Sequence, residues 1–244
     1  MKHYQRLEGM VAATFTPMDA RGDINLSVID KYADLMAESG MAGVFVCGTT
    51  GESHSLTTGE RKAILAQWIK SARKRFKVIA HVGSNCQLEA MELARHAQEV
   101  EADAFAAMAP CFFKPSSVKD LVDFFTPIAQ SAPDLPFYYY NMPSITGVNL
   151  PVDKFLVEGK KKIPNLVGTK FTHNNLMEMG VCIELEQHRF EVLHGYDEIL
   201  ISGLAMGAVA GVGSTYNYIP NVYQAIFDSM KMNDLETARH NQIK

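Results

Sequence analysis

Short apolar runs alternate along this chain with longer stretches in which apolar residues recur every three or four positions. The short runs are Met10–Thr14, Gly43–Cys47, Lys77–Val82, Ala104–Met108, Pro136–Tyr140, Leu166–Lys170, Glu191–Leu193 and Ala208–Val212. They are near-continuously apolar instead of alternating with polar positions, as parallel strands covered on both faces must be. Most are separated by about thirty residues, the size of one strand–helix unit.

The segments between them predict helices with definable ends. Ile29–Glu38 stops at Gly40, a residue suited to the left-handed turn that closes a helix. Thr57-Thr58-Gly59-Glu60 is a capping box that opens a helix running toward Lys74. Leu88–Val100 and Val118–Ala129 follow, the second preceded by Ser116 and Ser117 as caps. Eight strands with helices between them predict an α/β fold, a closed (β/α)8 TIM barrel in one domain, and the 244 residues suit one such barrel. An open doubly wound sheet is the alternative, but no GxGxxG follows the first strand. In a barrel the chemistry sits at the C-terminal ends of the strands, which directs attention to the residues just after each apolar run.

Composition narrows the choice of function. Hydrophobic residues make up 47% and charged residues 20%, ordinary for a globular protein. The net charge of −4 argues against a nucleic-acid partner, which needs a basic face, but leaves an anionic small-molecule substrate open. Cys47, Cys86, Cys111 and Cys182 form no CxxC pair and read as reduced, buried thiols of a cytoplasmic protein. The opening MKHYQRLEGM carries charge where a secretory leader needs a long apolar run. Ile199–Phe227 contains no charged residue and repeats Gly203, Gly207 and Gly211 at the spacing of packed membrane helices. Ser202, Ser214, Asn217 and Pro220 interrupt it, so a short helix, a buried strand and a loop are expected, and no membrane association. The eight histidines show no ligand spacing, so no metal is expected.

Several strand ends carry chemistry. Lys170 closes the sixth strand, where an amine in the low-dielectric barrel mouth is disfavoured as ammonium; a neutral amine can attack a ketone and form an imine. A structural ion pair is the competing reading. Tyr140 closes the fifth strand, where a phenol can relay protons, whereas Tyr138 and Tyr139 read as packing residues. Gly48-Thr49-Thr50-Gly51-Glu52 follows the second strand and offers N–H groups and two hydroxyls to a carboxylate. Asp197 and Glu198 after strand seven can hold a polyol, or can be first-turn acids of a short helix. Gly213-Ser214-Thr215 adds polar groups after strand eight, and Lys160–Lys162 reads as a solvated loop.

The loop Gly48–Glu52, the segment Tyr138–Pro151 and the strand Gly168–Thr172 resemble the Schiff-base aldolase superfamily of N-acetylneuraminate lyase and dihydrodipicolinate synthase. Within it, Ala109–Pro115, Phe137–Gly147 and Gly213–Tyr218 look most like the animal-type N-acetylneuraminate lyases. The resemblance implies that Lys170 forms the imine and Tyr140 transfers protons, and that Thr49 and Thr50 bind the substrate carboxylate. It implies sugar contacts from Thr172, Gly195, Asp197, Glu198 and Ser214. The implied reaction splits N-acetylneuraminate into N-acetylmannosamine and pyruvate with no external cofactor, in a homotetramer. Two synthase features are missing: no arginine follows Asn141-Met142-Pro143, and Cys111, Phe112 and Phe113 supply no phenol after the fourth strand. The resemblance also divides the chain into a barrel over 1–231 and, from 232 to 244, the start of a C-terminal helical region that is otherwise largely missing. Two alternatives stay open: a pyruvate-dependent aldolase for another 2-oxo sugar acid, and a non-catalytic barrel that binds 2-oxo acids.

Overall fold

A computed structural model describes residues 4–244. Eight parallel strands close in chain order, β1 pairing with β8: β1 (Gly9–Ala13), β2 (Gly43–Val46), β3 (Lys77–His81), β4 (Ala104–Met108), β5 (Phe137–Asn141), β6 (Leu166–Phe171), β7 (Glu191–His194) and β8 (Ala210–Gly213). Around them lie α1 (Ile29–Glu38), α2 (Thr58–Ala72), α3 (Gln87–Glu99), α4 (Val118–Gln130), α5 (Pro143–Thr146), α6 (Val152–Gly159), α7 (Leu176–Glu184), α8 (Leu200–Ala205), α9 (Pro220–Lys231) and α10 (Leu235–Gln242). Each strand falls within two residues of its expected start. The largest displacement is β8, because Ala208 N–H still bonds back to Gly203 O and Gly207 turns at φ +100 to end α8. The apolar glycine-repeat segment is therefore a short helix, a buried strand and a loop. Among the described residues no helix is long and apolar enough to cross a membrane.

Residue alternation on the strands separates two cores. Val11, Phe45, Ile79, Tyr138, Tyr140 and Val212 fill the barrel interior. Trp68, Phe125, Phe137, Tyr139 and Phe155 fill the layer between strands and helices. Both faces are dry, which is why the strands read as unbroken apolar runs. The helix ends are fixed as their sequences require: Thr57 and Glu60 form a complete capping box, and Ser117 Oγ accepts from Asp120 N–H at 3.1 Å. The cysteine expectation needs correcting. Cys47 and Cys182 are buried, but Cys86 is exposed and Cys111 half-buried, because both lie in loops at the barrel mouth.

An acidic side chain sits inside the barrel floor. Glu191 opens β7 and accepts hydrogen bonds from Tyr138 Oη at 2.7 Å, Tyr4 Oη at 2.9 Å and the Leu7 amide at 3.2 Å, tying the N-terminal segment across the bottom of the barrel. Burial pushes its carboxyl up to about 7, outweighing the donors that favour the ionised form. A raised folded-state pKa means that the native protein holds this proton after the unfolded chain has released it. Stability therefore falls as pH rises from about 4.5 to about 7, by roughly 3 kcal/mol, and is flat above that window. Glu191→Gln, which can still accept from Tyr138 and donate to Tyr4, should remove this slope. Denaturant titrations at pH 5, 6, 7 and 8 that run parallel for the two proteins would contradict it.

Candidate active site

Strand pairing brings the two key side chains together: Tyr140 on β5 is the register partner of Lys170 on β6. Both point into the barrel at its C-terminal end. Lys170 is only 4% exposed, yet among the described residues its amine makes neither an ion pair nor a hydrogen bond. Its Nζ lies 3.8 Å from the centre of the Tyr140 ring and 4.8 Å from that of Phe45. A structural lysine would have a carboxylate partner at this depth. This one faces aromatic rings and the open mouth, so the ion-pair reading fails.

Tyr140 Oη lies 3.2 Å from Thr49 Oγ1 and donates to Met142 Sδ at 3.1 Å. Its ring stands edge-to-face against Phe45 and His81, at 5.4 and 5.7 Å between centres. Tyr139 packs outward against Phe155, and Tyr138 points down to Glu191, so only Tyr140 of the three reaches the mouth.

The loop that delivers Thr49 begins at Cys47, whose φ of +55 turns the chain sharply out of β2. Glycine at 51 lets the loop pack closely, since a Cβ there would lie 3.0 Å from Thr14 O and 3.2 Å from Cys47 Cα, tight enough that the backbone would have to give. The turn closes through Glu52 N–H to Thr49 O and Ser53 N–H to Gly48 O. Those bonds leave the amides of Thr49 and Thr50 without an acceptor among the described residues. Successive free N–H groups and two hydroxyls, one on exposed Thr49 and one on half-buried Thr50, form a concavity suited to a carboxylate.

On the far side of Lys170, Thr172 is buried and its hydroxyl has no partner among the described residues. Gly195 lies directly against it: a Cβ at 195 would sit 2.0 Å from Thr172 Oγ1. Gly195→Ala should therefore displace the Thr172 hydroxyl and cost about 1–3 kcal/mol of stability. Its KM for substrate should rise well beyond the effect of Thr172→Val; a KM equal to that of the parent protein would remove Gly195 from the site.

Asp197 is buried but already engaged. Its Oδ2 accepts from Thr215 N–H at 2.8 Å, Thr215 Oγ1 at 2.6 Å and Ser214 Oγ at 3.4 Å. Burial pushes its carboxyl up, and the Thr215 donors pull it back. The first-turn reading is thus partly right, but the carboxylate caps the neighbouring turn at Thr215–Asn217. Oδ1 remains free of these bonds. Glu198, in the same turn, is exposed. Gln242 of α10 braces this turn from outside, donating to Asp197 O at 3.0 Å and accepting from Ile201 N–H at 2.9 Å. Among the described residues no cluster of three or more metal-binding side chains exists. A separate hollow of about 190 Å³, lined by Tyr4, Leu7, Lys77 and Asp103, lies at the opposite end of the barrel. Among the described residues no buried polar atom lacking a partner faces it, and it contains none of the strand-end groups.

A barrel with an unpaired interior lysine beside a strand-end tyrosine can be placed among known proteins. The model of the dihydrodipicolinate synthetase family matches residues 6–244. The chain belongs to this family. It is 42% identical over 243 residues to the N-acetylneuraminate lyase of Mus musculus, a match covering 98% of this chain and 76% of the mouse protein. The solved N-acetylneuraminate lyase of Proteus mirabilis superposes with a TM-score of 0.95 at 36% identity, covering 98% of this chain and 80% of the other. A catalytic-lysine mutant of the Ruminococcus gnavus sialic acid aldolase superposes at 0.93 with 27% identity, covering 97% and 77%.

Three further residues shape the mouth without having been expected from the sequence. Phe45 carries the amine on its ring, Met142 accepts from the phenol, and His81 supports the phenol's ring. His81 was within reach: it is a polar residue at the C-terminal end of a strand, the same rule that singled out Tyr140.

Proposed function

We propose that this protein is an N-acetylneuraminate lyase, splitting the nine-carbon sugar acid into N-acetylmannosamine and pyruvate. The observation that carries the proposal is the buried, unpaired Lys170 amine against the Tyr140 ring. The high identity to lyases of that name over nearly the whole chain supports the choice of substrate.

In this mechanism the Lys170 amine adds to the C2 ketone of the open-chain sugar acid and water leaves, giving an imine. Thr49 and Thr50 hold the C1 carboxylate with their N–H and hydroxyl groups. Tyr140, having given its phenol proton to the hydroxyl that left as water, takes the proton from the C4 hydroxyl; the C3–C4 bond breaks, and that bond's electron pair moves into the imine to form an enamine. N-acetylmannosamine departs as the aldehyde. Protonation of the enamine at C3 and addition of water to the imine then release pyruvate and restore the amine. Thr172, Gly195, Asp197, Glu198 and Ser214 line the side of the mouth where the sugar chain lies. The lysine itself is the electron sink, so no cofactor enters. We assign the protein to the cytoplasm and to a homotetramer on the same family grounds.

Incubation with N-acetylneuraminate should release pyruvate and N-acetylmannosamine in equal amounts, faster than shorter 2-oxo sugar acids are cleaved. Faster cleavage of a shorter acid would move the protein to another aldolase specificity. Failure of borohydride to fix pyruvate covalently would remove the imine altogether.

A further inference from the structure

His81 occupies the last position of β3 and is 2% exposed. Its Nδ1 lies 2.8 Å from Cys47 O. A carbonyl can only accept, so Nδ1 carries the ring proton and Nε2 is left with its lone pair, buried and without a partner among the described residues. Arg61 Nη2, 3.5 Å from Nδ1, therefore meets an N–H and is not its partner. What Arg61 does hold is the backbone on either side: Nη2 donates to His81 O at 2.8 Å and Nη1 to Gly83 O at 3.0 Å. Burial and the adjacent guanidinium push the imidazole well below its usual range, in the direction that favours the uncharged ring.

Two parts of the site meet at this ring. Cys47, whose carbonyl it holds, is a non-glycine residue in the left-handed region at the start of the Thr49–Thr50 cradle, a conformation that needs support from its surroundings. The ring also packs edge-to-face with the Tyr140 ring, at 5.7 Å between centres and 86° between planes. We propose that His81, clamped by Arg61, is the positioning residue that fixes the carboxylate cradle through Cys47 and the tilt of Tyr140 through its ring. The inference rests on the imine reading of Lys170 and adds to it the element that registers two separate strand ends against each other. A buried histidine that only filled space would affect both functions in proportion to stability.

Two isosteric changes separate the roles. Asparagine places its amide nitrogen where Nδ1 is, and glutamine places its own where Nε2 is; both delete the ring. His81→Asn should keep the Cys47 bond, so the pyruvate concentration giving half-maximal borohydride fixation stays within about twofold of the parent. His81→Gln should raise that concentration about tenfold, as loss of a buried hydrogen bond implies. Both should lower kcat for cleavage about tenfold through the unsupported phenol. Equal pyruvate requirements in the two variants, or losses that track their unfolding temperatures, would overturn the proposal. Should His81→Gln fail to fold, Arg61→Lys carries the test: it should raise the pyruvate requirement severalfold with full final labelling, and an unchanged requirement would count against the proposal. If the parent protein itself fixes no pyruvate, it is the imine reading of Lys170 that fails.

Discussion

Replacing Lys170 with alanine should abolish both borohydride fixation of pyruvate and cleavage of N-acetylneuraminate, with kcat falling by about 10⁴- to 10⁶-fold. Loss of a covalent nucleophile commonly has that scale, because the remaining contacts can bind substrate but cannot supply the electron sink. Alanine also removes the buried four-carbon stem that carries the amine to the Phe45 and Tyr140 rings, so a structural objection could be raised against it alone. Lys170→Met answers that objection by keeping the stem and deleting the amine. Since no carboxylate among the described residues pairs with Lys170, methionine breaks no ion pair and relieves the amine of an apolar site. Lys170→Met should therefore unfold at the same temperature as the parent or higher while losing as much activity as the alanine variant. A large fall in unfolding temperature would mean that the amine serves the fold, and residual labelling by pyruvate would mean that another lysine forms the imine.

The architecture was legible because the physics that makes a parallel barrel also writes its sequence. Strands sealed on both faces must be apolar throughout, and helices between them must carry caps; Thr57 and Glu60 or Ser117 are visible without coordinates. The placement of Lys170 and Tyr140 at the barrel mouth was legible because a polar residue ending an apolar run has one place to go in a barrel. Arg61 was not. It lies in a charged stretch at the start of α2 that looks like an exposed helix face, and only the packing of α2 against β3 turns it inward to 5% exposure. Asp197 shows a different limit. Its position pointed to sugar binding or to a helix cap, whereas its partners come from the β8 loop, a contact that no local pattern specifies. Glu191 is the same case at the other end of the barrel: it opens an expected strand, but the tyrosines that hold it come from β5 and the N-terminal segment, contacts that no local pattern specifies.

Tyr140→Phe should separate the two halves of the chemistry. Phenylalanine keeps the ring against Phe45 and His81 and beneath the Lys170 nitrogen, so the contact that favours a cationic imine survives. Pyruvate should still be fixed by borohydride to full stoichiometry. What disappears is Oη, and with it the one hydroxyl that bridges the mouth to Thr49. Without that group the C4 hydroxyl has no positioned base, and cleavage should slow by about 10²- to 10⁴-fold, the usual contribution of a placed proton-transfer group. Tyr140→Leu makes the complementary test, since it deletes ring and hydroxyl together. It should weaken pyruvate fixation severalfold, where phenylalanine leaves it intact, because a cation over a ring face at this depth contributes about 1–2 kcal/mol. Cleavage at the parent rate by Tyr140→Phe would transfer the proton to another group, with Thr49 the nearest candidate at 3.2 Å from the same oxygen.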